Sequence, residues 1–438
     1  MKLILAFGQQ TINSWDGARI GDLRLDRMQS LFGFFALAFL AWIFSEQRKN
    51  LHIRTIFAGL GLQILLALIL LKLPGTQTLF LWLNNLVQAL EESTKAGTSF
   101  VFGYLGGGPL PFDEKSPGLS YVFAFRGLPL VLVMSALSSL LFYWKILPVI
   151  VRAFSWVLRR TMGLGGVEGL GTAANIFVGM VESPLLIRPY LKGISRSELF
   201  TIMTAGMATI AGTVMVLYAV ILDKIIPGIM GHLLTASLIS APAAVTISKL
   251  MVPERGEPST GKVELPVEAN SSMDAITRGT VQGIKLLINI IGMLVVLVAL
   301  VYLLNIILGL LPDLARKPIT FQRLLGFVMA PVTWLMGIPW SEAQTTGTLM
   351  GTKTVLNEFI AYLDLARLPE GVLSPRSELI MTYAMCGFAN FGSLGILIGG
   401  MGAMVPERRD DIVGLGMKSI VAGTIATCMT GAVVGIIY

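Results

Sequence analysis

The chain has 438 residues, of which 54% are hydrophobic and only 13% charged, and its mean hydropathy is +0.75. Soluble domains carry about 25% charged residues, so this composition excludes a soluble protein and predicts an integral membrane protein. Lysine and arginine outnumber aspartate and glutamate by 33 to 26, a surplus typical of cytoplasmic loops. The sequence contains no basic block with interleaved aromatic residues, so a nucleic-acid partner is not expected. Cys386 and Cys428 lie in apolar stretches, and His52 and His232 are isolated, so disulfides, metal centres and cofactors are not expected.

Continuous apolar stretches predict eight membrane-spanning helices, since a hydrocarbon core about 30 Å thick needs about 20 apolar residues per crossing. They lie at about 29–45, 55–73, 127–147, 198–222, 229–250, 283–311, 378–403 and 413–437. Two further segments, 78–97 and 148–163, mix polar and apolar residues and suit the membrane interface. The apolar run Met1–Gly8 is too short for a cleaved signal peptide, so the first span is expected to insert the protein. Residues 252–275 form a predicted soluble loop.

The placement of lysine and arginine predicts the orientation of these spans. Basic residues follow the first and fifth spans and precede the fourth and the last. With eight crossings, these positions all fall on one side of the membrane, and the positive-inside rule makes that side the cytoplasm. We therefore expect a multi-pass protein of the inner (plasma) membrane, embedded in the lipid bilayer, with both termini in the periplasm.

Two segments, 165–190 and 339–364, are apolar enough to enter the bilayer but are interrupted by glycine, proline or lysine. Backbone groups freed at membrane depth are tolerated only where they line a cavity, so we predict that both segments are re-entrant helical hairpins. Each contains a glutamate, Glu182 or Glu358. A charged side chain in hydrocarbon costs on the order of 3 kcal/mol, so such a residue normally faces a polar cavity and handles a substrate, an ion or a proton. This pattern predicts a transporter.

An internal repeat relates the segments that follow the two hairpins. Residues 197–213 align without gaps with residues 377–393, each copy starting with Ser-Glu-Leu and ending with Gly-Thr or Gly-Ser. Inverted repeats in secondary transporters place the binding site near the bilayer midplane, at the repeat interface. We therefore divide the chain into four regions. They are N-terminal scaffold spans with interfacial helices (1–163), the first hairpin and repeat (164–250), a soluble loop with a long scaffold helix and a second interfacial helix (251–338), and the second hairpin and repeat (339–438).

In the first hairpin, several groups can bind a ligand but also have ordinary structural explanations. Glu182 can accept hydrogen bonds from a polar ligand or carry a proton, or it can form a salt bridge with Arg188. Asn175, with the carbonyl groups near Val178 and Gly179, can coordinate a monovalent cation, or it can cap the hairpin tip.

In the second repeat, Glu358 is another acceptor, which Lys353 can neutralise, although a spacing of five residues does not place both on one helix face. Asn390 and Ser393 can meet a ligand hydroxyl, with Phe388 as an aromatic wall, or these small and polar residues can serve helix packing.

For a further set of residues, the local sequence does not distinguish a ligand-binding role from a structural role. Thr209, Thr213 and Tyr218 can simply bond back to helix carbonyls, and Met180, Val181 and Val214 are packing residues by any local argument.

Taken together, these residues resemble the concentrative nucleoside transporter family. The matching strings are residues 173–187 (AANIFVGMVESPLLI), 347–362 (GTLMGTKTVLNEFIAY) and 386–396 (CGFANFGSLGI). The resemblance implies an all-α polytopic protein with eight transmembrane helices, two re-entrant hairpins and inverted repeats, assembled as a homotrimer. It also implies an elevator-type transporter, in which a mobile domain carries a nucleoside substrate past a trimeric scaffold.

The resemblance also implies the roles of individual residues. Glu358, Asn390 and Ser393 would bind the ribose hydroxyls. The residues facing the nucleobase would be Met180, Val181, Glu182, Val214 and Phe388. A sodium ion, as the coupling ion, would bind to oxygen atoms of Asn175, Val178, Thr209 and Ile210.

One departure from the family pattern concerns the nucleobase. Sodium-coupled members that take uridine usually carry Gln-Thr where this chain has Met180-Val181. Losing an amide and a hydroxyl removes base-edge hydrogen bonds, each worth about 1 kcal/mol, so an altered or purine-tolerant pocket is an open alternative. Sodium-coupled nucleoside import is the predicted function, with proton coupling through Glu182 as the alternative. An intramembrane enzyme or a channel is a distant alternative, since no catalytic motif is present.

Overall fold

A computed structural model describes residues 20–49, 51–73, 75–113, 120–223, 225–256, 259, 269–312 and 318–438. The described chain is all-α, with 78% helix and no β-strand, as the sequence predicts. Residues 1–19, which include the apolar run at Met1–Gly8, and residues 257, 258 and 260–268 of the predicted loop at 252–275 lie outside the described residues.

The N-terminal region folds into helices that are consistent with its apolar stretches. They are α1 (Ile20–Ile43), α2 (Ile53–Lys72), α3 (Thr76–Phe102), α4 (Phe123–Arg126), α5 (Leu130–Tyr143) and α6 (Ile146–Met162), with a 3-10 turn at Gly103–Gly106. The predicted span at 127–147 ends earlier, at Tyr143, because Lys145 adopts a left-handed conformation (φ 63°) that starts a new helix. The segment predicted at 78–97 is part of a longer helix, which continues to Phe102 and stops at Gly103 (φ 57°).

The middle region contains the first broken segment and two long helices. Its helices are α7 (Gly166–Asn175), α8 (Glu182–Leu186), α9 (Arg196–Ala208), α10 (Gly212–Leu222), α11 (Ile229–Met251) and α12 (Ser272–Leu308), with a 3-10 turn at Arg188–Tyr190. The span predicted at 283–311 begins much earlier, because the Ser271 hydroxyl accepts a hydrogen bond from the Asp274 N–H at 3.1 Å and caps the helix there.

The C-terminal region contains the second broken segment and the last long helix. Its helices are α13 (Phe321–Leu335), α14 (Trp340–Val355), α15 (Glu358–Ala366), α16 (Pro375–Met385), α17 (Phe391–Met404) and α18 (Arg409–Ile437), with a 3-10 turn at Pro406–Arg408. Helices α13 and α14 are bent by 120° relative to each other across a short break.

Six helical segments in the described ranges are long and apolar enough to cross a membrane, or seven if α13 and α14 are counted as one span. They are α2, α4 with α5, α9 with α10, α11, α12, and the 3-10 turn at 406–408 with α18. This supports a multi-pass membrane protein. In the most apolar part of α11, 89% of the residues are buried within the protein, against 6% in α12. Helix α11 therefore lies in the core, whereas α12 lies at the periphery with an apolar surface.

Both copies of the repeat are broken helices. The first copy, which reads in the sequence as one continuous stretch, breaks at 209–211 between α9 and α10, and the second breaks at 386–390 between α16 and α17. The two breaks lie against each other at Gly387, where a Cβ atom would approach the Met207 carbonyl oxygen to 2.9 Å. The two hairpin segments break at 176–181 and at 356–357. Four interrupted helices therefore meet in the interior.

Candidate substrate and ion site

A cavity of about 170 Å³ lies where the four helix breaks meet. Each break contributes residues to its wall, and α12 closes one side with Leu286, Asn289 and Met293. All eight residues predicted to contact the nucleobase or the ribose line it. They are Met180, Val181, Glu182, Val214, Glu358, Phe388, Asn390 and Ser393. The structure thus brings together residues separated by up to 213 positions in the chain, from Met180 to Ser393.

Glu358 is the most buried acidic group of this cavity, with 4% of its surface exposed. It is the first residue of α15, directly after the break, where the Asn357 side chain caps the helix by accepting a hydrogen bond from the Ile360 N–H at 2.9 Å. Its Oε1 accepts a hydrogen bond from the Tyr218 hydroxyl at 2.6 Å, and its Oε2 accepts one from Asn390 Nδ2 at 2.9 Å. The two donors come from the broken helices of the two different repeats.

The Asn390 side chain both caps a helix and donates a hydrogen bond to Glu358 in the cavity wall. Its Oδ1 accepts a hydrogen bond from the Ser393 N–H at 2.7 Å, which caps α17. Capping leaves its Nδ2 free to point at Glu358, so the helix start fixes the orientation of the amide. The Ser393 side chain lies in the first turn of α17 and also lines the cavity. Helix capping and ligand contact are therefore compatible roles for these residues.

Glu182 has a different environment from Glu358. Its side chain is exposed to open space, and it lines both the central cavity and a second cavity of about 160 Å³. The second cavity is bordered by polar side chains, among them Ser135, Arg278 and Gln282. The salt bridge to Arg188 that the sequence left open is absent among the described residues, since Arg188 Nε donates instead to the Met404 carbonyl at 3.4 Å. Glu182 therefore lines both cavities without an ion-pair partner among the described residues.

Met180 and Val181 lie on the hairpin segment between its two helices and are held close to neighbouring helices. A Cβ atom on Gly206 of α9 would meet Met180 Cβ at 2.9 Å, and one on Gly400 of α17 would meet Val181 Cγ1 at 2.9 Å. Both glycines allow the hairpin to approach closely. Where both side chains meet the cavity, they present an apolar surface without hydrogen-bonding groups.

The four residues predicted to bind sodium surround the first hairpin break and the α9–α10 break. The Thr209 hydroxyl can donate to the Asn175 carbonyl at 2.9 Å or to the Ala205 carbonyl at 2.8 Å, so back-bonding to the helix is present together with a contact to the hairpin. Asn175 Nδ2 donates to the Gly171 carbonyl at 3.1 Å, whereas its Oδ1 is buried and has no hydrogen-bond partner within the described chain. Val178 and Ile210 lie on the same two breaks.

Such oxygen atoms are suitable ligands for a small hard cation. The Asn175 carboxamide oxygen is unsatisfied although it is buried, and an unpaired buried oxygen of this kind costs about 1–3 kcal/mol. The Gly212 N–H donates to the Phe177 carbonyl at 3.0 Å and joins the two breaks directly. The residues present therefore fit a monovalent cation that would bridge the first hairpin and the first broken helix.

The sequence also left open that Lys353 neutralises Glu358, and the structure gives Lys353 other partners. Its Nζ donates to the Ala384 carbonyl and to the Thr427 hydroxyl, both at 2.9 Å, and no ion pair with Glu358 forms. The two residues lie on different helices, since Lys353 is in the last turn of α14 and Glu358 is the first residue of α15, after the break at 356–357.

Two cavity residues have contacts that the sequence analysis missed. The sequence left open whether the Tyr218 hydroxyl bonds back to its own helix, and in the structure it donates to Glu358 instead. Asn289 lies on α12, a helix predicted to serve only as scaffold, and it lines the cavity. An amide inside the apolar part of a long helix is a signal that can identify such a residue.

Duplicated broken helices around a polar cavity are the architecture of a secondary transporter. Three family models match the chain. They are described as Na+ dependent nucleoside transporter N-terminus (residues 32–105), Nucleoside recognition (residues 124–224) and Na+ dependent nucleoside transporter C-terminus (residues 232–435).

Individual proteins are similar over most of the chain. The uncharacterized transporter YutK of Bacillus subtilis is 38% identical over 92% of this chain and 98% of its own length. Solute carrier family 28 member 3 of Rattus norvegicus is 38% identical over 96% of this chain, which spans only 60% of that relative. The solved structure of CNTnw in an inward-facing substrate-bound state has a TM-score of 0.85 at 32% identity, and covers 93% of this chain and 98% of CNTnw.

The chain therefore belongs to the concentrative nucleoside transporter family, as its motifs predict. Its relatives are transporters and not enzymes, which removes the intramembrane enzyme as an alternative.

Proposed function

We propose that this protein imports nucleosides together with sodium ions across the inner membrane. The observation that carries the proposal is the arrangement of Glu182 and Glu358, one from each repeat, on the wall of one cavity. A carrier needs a polar site at the repeat interface that can be reached from either side in turn.

The ribose is proposed to bind beside Glu358. This carboxylate has two oxygens with about four acceptor positions, of which Tyr218 and Asn390 use one on each oxygen. The remaining positions can accept hydrogen bonds from ribose hydroxyls, while Ser393 supplies a further polar group. Hydrogen bonds to a charged partner are worth about 1.5–3 kcal/mol each, which suits a ligand that must be held and then released.

The nucleobase is proposed to lie toward Glu182, with Met180, Val181, Val214 and Phe388 around it. Apart from Glu182, these side chains offer an aromatic ring and aliphatic surface but no hydrogen-bonding group. Recognition would therefore depend on stacking and on Glu182, which favours bases that present a donor to a carboxylate. We propose a pocket that tolerates purines, because the amide and hydroxyl usual for uridine-selective members are missing.

Sodium is proposed to bind the oxygens of Asn175, Val178, Thr209 and Ile210. The support is the unsatisfied Asn175 Oδ1 and the contact of Thr209 with the Asn175 carbonyl, together with the match to two family models described as Na+ dependent. A cation there would order the first hairpin against α9 and α10, which also form part of the nucleoside cavity. By linkage, sodium must then raise nucleoside affinity by the same factor by which nucleoside raises sodium affinity.

The transport cycle is proposed to follow an elevator mechanism in a homotrimer of eight-span protomers. The mobile part would contain the two re-entrant hairpins (α7–α8 and α14–α15) with the broken helices, and α12 would belong to the fixed scaffold. The peripheral, apolar surface of α12 suits contact with lipid or with other protomers. The basic residues between alternate spans would face the cytoplasm, which leaves both termini in the periplasm.

Counterflow in proteoliposomes tests this function directly. Proteoliposomes that contain the purified protein are preloaded with unlabelled uridine, cytidine, adenosine, guanosine or inosine. In sodium buffer they are expected to accumulate the labelled nucleoside, and purine nucleosides should be accepted. Saturable exchange is a property of a carrier, whereas a channel passes solute without counterflow. Failure of all five nucleosides to exchange would refute the proposal. Exchange that is independent of sodium but driven by a proton gradient would assign coupling to protons, with Glu182 as the group that carries the proton.

A further inference from the structure

A buried lysine lies near the helix ends of the second repeat, whereas the first repeat offers oxygen atoms to a cation near its own helix ends. Lys353 is fully buried in the last turn of α14, the first helix of the second hairpin. Its Nζ reaches the Ala384 carbonyl in the last turn of α16 and the Thr427 hydroxyl of α18, each at 2.9 Å. The ammonium group therefore joins the second hairpin to the second broken helix and to the C-terminal helix.

Each repeat brings two helix C-termini together. In the first repeat, α7 ends at Asn175 and α9 at Ala208, and in the second, α14 ends at Val355 and α16 at Met385. The last carbonyls of a helix have no partner within the helix, and the helix end carries a partial negative charge. A positive charge is therefore favoured between the two ends in both repeats.

The two repeats differ in the source of that charge. The first contains no lysine or arginine in 166–186 or in 197–222, so neither its hairpin nor its broken helix supplies a cation of its own. Asn175 and Thr209 supply oxygens for it. In the second repeat, Lys353 reaches the carbonyl of Ala384, and no carboxylate in the described chain forms an ion pair with it.

We propose that the ammonium of Lys353 is a covalently attached counterpart of the coupling cation. It keeps the second hairpin closed on α16 at all times, so that Glu358 and Asn390 are preformed for the ribose. Only the first hairpin then depends on an exchangeable ion. Lys353 is thus a positioning residue, which acts on the nucleoside through Glu358. This inference rests on the proposed sodium-coupled function.

The first test replaces the charge with a neutral side chain of similar length. In Lys353→Met, nucleoside affinity at saturating sodium should fall at least about tenfold, because the contacts of a charged group with the Ala384 carbonyl and the Thr427 hydroxyl are lost. Sodium binding to the nucleoside-free protein is followed by thermal unfolding in sodium against choline. The sodium concentration that gives half of the maximal stabilisation should stay within about twofold of the wild-type value, since the first hairpin is unchanged. Lys192→Met, which removes an exposed lysine, is the matched control and should bind nucleoside like the wild type.

Lys353→Arg and Lys353→Asn separate charge from shape. The arginine variant should keep nucleoside affinity within about threefold of the wild type, because it retains a donor cation. The asparagine variant leaves oxygens in place of the ammonium, so its nucleoside binding should depend on sodium with a Hill slope near 2, against about 1 for the wild type. If Lys353→Met does not fold, these two variants decide the question.

The outcomes distinguish the inference from the function on which it rests. Wild-type nucleoside affinity in Lys353→Met, a tenfold loss in Lys353→Arg, or an unchanged Hill slope in Lys353→Asn would each overturn the role of Lys353 while leaving transport intact. Absence of nucleoside binding to the wild type would instead refute the proposed function.

Discussion

At the scale of single residues, the site depends on a buried carboxylate that is only partly satisfied. A charged group taken out of water is costly unless it is paired or hydrogen-bonded. Tyr218 and Asn390 give Glu358 one donor on each oxygen, which keeps the group in place before substrate arrives. Glu358 also lines the cavity, where the hydroxyl groups of a ligand can donate further hydrogen bonds to it.

Replacing Glu358 with glutamine should abolish nucleoside exchange. The amide loses the negative charge, and its NH2 group faces a donor from Tyr218 or Asn390. Loss of one hydrogen bond to a charged group alone weakens binding by about 1.5–3 kcal/mol, or roughly ten- to hundredfold. Counterflow in proteoliposomes measures this, with Glu407→Gln at an exposed surface position as control. Wild-type exchange by Glu358→Gln would remove this residue from the site.

Tyr218→Phe tests the contact that the local sequence pattern did not reveal. Removing the hydroxyl leaves Glu358 with one donor fewer, so nucleoside affinity should fall about tenfold. Tyr362→Phe is the matched control, because the Tyr362 hydroxyl is also buried but donates to the Thr382 carbonyl at 2.9 Å and does not line the central cavity. Equilibrium binding of labelled nucleoside compares the two variants. Equal affinities in both would show that Tyr218 does not support the carboxylate.

At the scale of helices, the breaks were largely predictable and their mutual packing was not. Glycine, proline and lysine in apolar segments predicted that both hairpin segments are interrupted, and polar and glycine residues at 388–393 interrupt the span predicted at 378–403. In the second hairpin, however, Gly347, Gly351 and Lys353 lie inside α14, and the break follows at 356–357. The break at 209–211 was missed, since Thr209 and Ile210 read as ordinary residues of an apolar span. The contact between Tyr218 and Glu358 joins positions 140 apart, and no local period reports such a distance. Family motifs supplied the site residues that local patterns did not.

The two repeat breaks approach each other so closely at Gly387 that this position has no space for a side chain. A Cβ atom there would lie 2.9 Å from the Met207 carbonyl oxygen and 3.0 Å from the Ala208 carbonyl carbon, so backbone must shift. Gly387→Ala should therefore lose about 1–3 kcal/mol of stability, seen as a lower melting temperature in detergent. Gly395→Ala has no heavy atom within 4 Å of the new methyl group and lies in a helix, so it should be neutral or slightly stabilising. Equal melting temperatures would contradict the contact.

At the scale of the whole molecule, Glu46 connects distant parts of the chain. It lies in the turn after α1 and forms ion pairs with Lys418 of α18 and with Arg196 at the start of α9, the latter at 3.2 Å. Partial burial works against its charged form, but hydrogen bonds from Lys418 and Arg196 outweigh it and hold the pKa of Glu46 below its ordinary value of 4.5.

This cluster predicts a dependence of stability on acid pH. A carboxylate whose pKa is lower in the folded state stabilises the fold above its unfolded pKa, and that contribution is lost as the pH falls through the folded pKa. Melting temperatures of the wild type should therefore fall below about pH 4.5 more steeply than those of Glu46→Gln. The two curves should keep a constant difference at neutral pH. Parallel curves throughout the acid range would contradict a role for Glu46.

The division of the molecule into a core and a periphery agrees with its proposed cycle. Helix α11 is apolar and buried inside the protein, whereas α12 is apolar but mostly uncovered. Yet α12 also closes the cavity with Asn289 and Met293. If the broken helices move past α12, this wall is the part of the site that changes during transport, while Glu358 and Asn390 travel with the ligand.

Coupling between the ion and the nucleoside is the central claim, and one equilibrium measurement tests it most directly. The dissociation constant of a labelled nucleoside is measured for purified protein across a series of sodium concentrations at constant ionic strength. We expect it to fall as sodium rises, with about one ion per nucleoside, and Asn175→Ala to flatten the response. A dissociation constant that stays the same from zero to saturating sodium would contradict the account.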